Sequence, residues 1–146
     1  MSEELRVELA LADRGVRFEA RADGREPIFV DYTPPVGGGR GYTSLELLLI
    51  SVGSCLATVV RLQAGRIAGA EIDSVRAVAE GRRREAHPTS FEEIRILLTV
   101  AGRNLEYRRL EGIMRSAEEK ICPLFDMLRG NCRIVSELRL EEPVRV

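Results

Sequence analysis

The spacing of apolar and polar positions changes along this chain, and each change marks an element. Residues 5–11 and 16–22 alternate loosely and predict two strands, with Asp13-Arg14-Gly15 between them as a hairpin turn. Asp23-Gly24 is a second turn signal, and Pro27–Tyr32 a third strand. A loop from Thr33 to Tyr42 follows, rich in Pro and Gly. The segment Ser44–Ala68 is apolar on nearly all sides until Arg61. Thr43 and Glu46 have capping-box spacing, and Gly69 is a stop signal, so one long helix is predicted. At this length it would run about 37 Å, while a compact domain of this size has a radius of gyration of only about 15 Å. A helix apolar all round is buried all round. One small sheet cannot cover it, so a second subunit is expected to help.

Residues 72–84 and 91–101 form a predicted hairpin around Ala86-His87-Pro88-Thr89. In its second strand Ile94, Ile96, Leu98 and Val100 share one face. Asn104 is the expected N-cap of a helix to about Lys120, whose apolar face is Leu110, Ile113, Met114, Ala117 and Ile121. Pro123 suits the first turn of a short helix ending at Gly130. Residues 131–140 alternate again, with Cys132, Ile134, Leu138 and Leu140 in phase. The order βββ-α-ββ-αα-β predicts an α+β fold, a strongly curved antiparallel sheet wrapped on a long central helix. No internal repeat or linker interrupts it, so residues 1–146 are read as a single domain.

Composition narrows the chemistry. The 146 residues carry 22 basic and 23 acidic side chains, a net charge of −1 that argues against nucleic-acid and polybasic membrane binding. The opening Met-Ser-Glu-Glu lacks the basic and apolar parts of a leader, and no uninterrupted run of about 18 apolar residues occurs. A cytoplasmic location and no membrane partner are expected. One histidine, His87, and three scattered cysteines cannot make a paired-cysteine zinc site, so neither metal nor cofactor is expected. His87 reads as a turn residue. Gly39-x-Gly41 lacks the remaining features of a dinucleotide or phosphate loop. Arg82-Arg83-Arg84, flanked by Glu80 and Glu85, reads as a solvated strand end.

The three cysteines differ. Cys132 lies on the apolar side of a strand and reads as a core thiol. Cys122 precedes Pro123 at a helix start, where unpaired amides and the helix dipole would lower a thiol pKa; it reads equally as a plain cap. Cys55 sits within the apolar helix. Burial there is the ordinary reading, but Gly53 two residues earlier costs helix stability, which implies a close approach by another backbone or by substrate.

The run Glu46–Cys55, following a Gly-rich loop and followed by Cys122-Pro123, resembles the family of osmotically inducible protein C and organic hydroperoxide resistance protein. The likeness covers essentially the whole chain. It implies an OsmC-like fold and an intertwined homodimer. It also implies a thiol peroxidase that reduces organic hydroperoxides, with Cys55 peroxidatic, Cys122 resolving and an external dithiol as reductant. Two positions depart from the peroxidase members, which open the helix with Pro and a functional Glu. Here those positions are Ser44 and Leu45, and Glu46 is assigned to the capping box. Those members also hold the thiolate with a turn arginine. Arg14 is the candidate equivalent, with Arg21 and Arg25 as competitors. The alternative is a non-enzymatic redox-sensing or small-molecule-binding dimer of the same fold.

Overall fold

The computed structural model describes residues 3–142. Its chain forms two compact units, one ending at Leu48 and the other starting at Leu49. The first holds an antiparallel sheet of β1 (Val7–Leu11), β2 (Phe18–Ala22) and β3 (Ile28–Val30), in that order. Leu9 faces Ala20 and Phe18 faces Val30 across the ladders. The β1–β2 turn is closed by the Gly15 amide, which donates to Asp13 Oδ1 at 2.8 Å. The glycine-rich loop is organised by Asp31, whose carboxylate accepts from the amides of Tyr32 (2.7 Å) and Arg40 (2.9 Å). Gly37 has to be glycine, because a Cβ there would collide with the Tyr32 carbonyl and the Asp31 carboxylate.

Helix α1 spans Ser44–Ala64. The capping box forms as its spacing requires: the Thr43 amide donates to Glu46 Oε1 at 2.9 Å and the Glu46 amide to Thr43 Oγ1 at 3.2 Å. The helix stops four residues before the expected end. Beyond it Arg66, Ile67 and Ala70 donate to carbonyls three residues back, a tightened exit that ends on Gly69 at positive φ. By length and composition α1 could cross a membrane, which the absence of an uninterrupted apolar run did not suggest. Its buried residues Val52, Gly53, Leu56, Val60 and Ala64 form one stripe, and the rest of the helix is half-buried or exposed within one chain.

The second unit is built on β4 (Glu71–Arg83), β5 (Phe91–Arg103) and β6 (Arg133–Glu141). Ile94, Ile96, Leu98 and Val100 of the central β5 are fully buried, as their alternation predicts. The α+β class and the element order hold, but the sheet differs from the single antiparallel one expected. Among the described residues there are two three-stranded sheets, and β6 runs parallel to β5, with Ile96 opposite Ser136 and Leu98 opposite Leu138. The intervening helical segment supplies the long crossover that a parallel pair needs.

That segment contains α2 (Tyr107–Ser116), a π-turn (Ala117–Ile121) and α3 (Pro123–Leu128). Asn104 is not the N-cap of α2. It takes a left-handed conformation (φ 57°) and its Nδ2 donates to the Gly69 carbonyl at 2.9 Å, tying two turns together. The cap falls to Glu106. Leu110, Met114 and Ala117 are buried as expected, but Ile121 is 46% exposed. The π-turn holds one residue more than an α-turn would, which rotates the following register. Cys122, 2% exposed, takes the inward place that the helical spacing assigned to Ile121.

Candidate functional site

Two thiols from distant parts of the sequence meet in the second unit. Cys55 comes from α1 and Cys122 from the junction of the π-turn and α3. Their sulfurs are 2.6 Å apart. All three cysteines are free thiols. Cys55 is half-buried and Cys122 buried, so Cys55 is the more accessible member of the pair.

The elements around the pair explain its position. At Gly53 α1 packs on β4: a Cβ built there would lie 3.6 Å from that of Ala79. That is an ordinary contact, so packing within this chain does not itself demand the glycine. Pro123 opens α3 at a position where a missing amide hydrogen is harmless. Cys122 is the N-cap, but its side chain accepts no capping bond. The expectation that Cys122 would use the α3 amides is corrected here: the Leu124 amide bonds to Cys55 instead.

Burial pushes the Cys55 thiol up to about 11, helped by the hydrogen bond to Cys122 and the charge that Cys122 carries when ionised. The Leu124 amide acts in the opposite direction. Cys132 stands apart. It is half-buried in the bend before β6 rather than within the strand, although it keeps the phase of Ile134 and Leu138. Burial raises its thiol as well.

Arg14 is exposed in the β1–β2 bend of the first unit. Of its competitors, Arg21 pairs with Glu19 at 2.8 Å and Arg25 lies in an exposed turn. Sequence reasoning passed over Arg17, whose guanidinium stacks on Phe29 at 3.9 Å and whose Nε is buried with no hydrogen-bond partner among the described residues. Arg17 also acts on Asp31, whose carboxyl is held below its ordinary value chiefly by the Arg40 amide. The arginine run is occupied locally: Arg82 pairs with Glu92 at 3.1 Å, and Arg83 Nε donates to the Thr89 carbonyl at 2.7 Å. Among the described residues, no three His, Cys, Asp or Glu side chains converge to hold a metal ion.

A second group was also missed. Glu118, in the π-turn, bonds to Arg115 and to Ser136 of β6, and burial raises its carboxyl above the ordinary range. An acidic residue four places before the Cys-Pro pair was the available signal. Its partner on β6 depends on a strand pairing that the sequence does not display.

The family model described as OsmC-like protein matches residues 37–137. No curated protein matches the chain. Among solved structures, a hypothetical protein from Aquifex aeolicus VF5 is 26% identical, with a TM-score of 0.84 over 97% of this chain and 99% of its own. An OsmC-like protein from Mycoplasma pneumoniae is 18% identical, with a TM-score of 0.80 over 96% and 99%. An organic hydroperoxide resistance protein of Bacillus subtilis is 19% identical, with a TM-score of 0.59 over 95% and 98%. At those identities the last two likenesses are of fold.

Proposed function

This chain belongs to the OsmC-like protein family, and from that premise we propose that it is a two-cysteine thiol peroxidase for organic hydroperoxides. The observation that carries the reading is the 2.6 Å separation of the Cys55 and Cys122 sulfurs. In the first step the Cys55 thiolate attacks the distal peroxide oxygen. An S–O bond forms, the O–O bond breaks, and the alkoxide takes up a proton and leaves as an alcohol. Cys55 is then a sulfenic acid. In the second step the Cys122 sulfur attacks the Cys55 sulfur. An S–S bond forms, and the hydroxyl leaves with the Cys122 proton as water. An external dithiol restores both thiols by exchange and is itself oxidised to a disulfide. The greater exposure of Cys55 supports its place as the group that meets substrate, and the apolar residues of α1 favour an organic hydroperoxide over hydrogen peroxide. Arg14 remains the proposed support for the thiolate.

The active unit is proposed to be a homodimer. Ile50 and Leu62 of α1 are 48% and 60% exposed within one chain, which leaves an apolar side of the helix for a second copy. The cytoplasm, where thiols stay reduced, is the proposed location.

Turnover of cumene hydroperoxide with a dithiol reductant tests the reading. Activity lost in Cys55→Ser and retained in Cys132→Ser supports it. Equal activity in Cys55→Ser and the wild type overturns it. The non-enzymatic redox-sensing alternative draws support from Leu45, which stands where the peroxidase members have a carboxylate. It predicts reversible oxidation of the pair without catalytic turnover.

A further inference from the structure

We propose that Glu118 is a positioning residue for the thiol pair: with Arg115 and Ser136 it fixes the π-turn that directs Cys122, rather than Ile121, toward Cys55. The inference rests on the redox reading of the pair and concerns how the pair is brought to bonding distance.

The apolar spacing Leu110, Met114, Ala117 continues to Ile121 if the α-helix runs on. Instead the Cys122 amide donates to the Ala117 carbonyl at 2.8 Å, a bond spanning five residues. π-turns are rare, occur mostly as single turns and are frequent at functional sites. Glu118 is held from both ends. Its side chain, 16% exposed, accepts from Arg115 Nη1 at 3.2 Å on each oxygen and is bonded to the Ser136 hydroxyl. Its carbonyl accepts from Arg129 Nη2 at 3.1 Å, and Arg129 also pairs with Asp126 of α3 at 3.2 Å. Arg115 donates to the Ser136 hydroxyl (2.9 Å) and carbonyl (3.2 Å), which anchors the group to β6. The clamps therefore lie on both sides of Cys122, one toward α2 and β6, the other toward α3.

A half-buried carboxylate costs desolvation energy that an apolar residue would avoid, and such groups are kept in some proteins because they specify one geometry. Here the geometry specified is the register after Ala117. Losing it would return Ile121 inward and Cys122 outward, a rotation of about 100° per residue.

The test uses diamide, whose N=N bond accepts two electrons and two protons as two thiols become one disulfide. Peroxide chemistry is then not required. All variants carry Cys132→Ser, so that only the pair responds. Closure rate and the equilibrium with reduced and oxidised glutathione are measured, with circular dichroism and melting as controls for folding. Glu118→Ala is expected to lower both closure rate and effective thiol concentration at least about tenfold, the scale of loss expected when reacting atoms are misplaced. Glu118→Gln retains an acceptor oxygen for Arg115 and Ser136 and is expected to restore most of that loss. Should Glu118→Ala fail to fold, Ser136→Ala removes one hydroxyl only and is expected to slow closure at least about threefold. Wild-type closure in the folded Glu118→Ala protein, or in Ser136→Ala, overturns the positioning role alone. A parent pair that never closes with diamide overturns the redox reading and this role together.

Discussion

At the residue scale the governing feature is the environment of Cys55. A half-buried thiol pushed up to about 11 is mostly protonated at neutral pH, and the thiolate is the nucleophile. The sign follows: raising the pH toward about 11 increases the reactive fraction. The second-order rate with cumene hydroperoxide is expected to rise about tenfold per pH unit between about pH 7 and pH 9. Stopped-flow rates across that range check it. A flat profile would mean that the proposed Arg14 support outweighs burial and ionises Cys55. The pairing of Cys55 with Cys122 was legible as a resemblance, because the Cys-Pro motif and the apolar helix survive as local patterns. The Leu124 amide turning to Cys55 was not legible, since a cap residue's own side chain is the usual partner of those amides.

At the element scale, α1 and its start were readable because both signals are local. Thr43 and Glu46 are three residues apart and satisfy each other's amides. Thr43→Ala is expected to cost about 1 kcal/mol, seen as a lower denaturation midpoint with an unchanged slope. Gly53 gives the opposite expectation. Its neighbour Ala79 leaves room for a methyl group, so Gly53→Ala should stabilise the chain's own fold by about 0.5–1 kcal/mol. Denaturant unfolding measures the change; a large loss would show that a partner subunit occupies that space. The parallel β5–β6 pair and the π-turn escaped the sequence. Alternation in residues 131–140 identifies a strand and its buried face, but not its neighbour or direction. A 3.6-residue pattern runs smoothly to Ile121, and the long-range contacts of Glu118 that accompany its interruption involve Ser136 on β6.

At the scale of the whole molecule, the apolar excess noticed in the sequence persists in the folded chain. Val7, Leu9 and Leu11 of β1 are all exposed, as are Ile50 and Leu62 of α1. A homodimer would remove this area from water, at about 25 cal/mol per Å². Sedimentation equilibrium is expected to give twice the chain's mass, and Leu62→Glu to shift the protein toward monomer; a monomeric wild type would contradict the assembly. The family membership and the fold do not depend on that outcome, but the enzyme reading depends on the pair. Its most direct test is a thiol count with peptide mapping after one equivalent of cumene hydroperoxide is added to the fully reduced protein. Two of the three thiols are expected to disappear and Cys55 and Cys122 to emerge joined, with Cys132 still free; three intact thiols would contradict the two-cysteine reading.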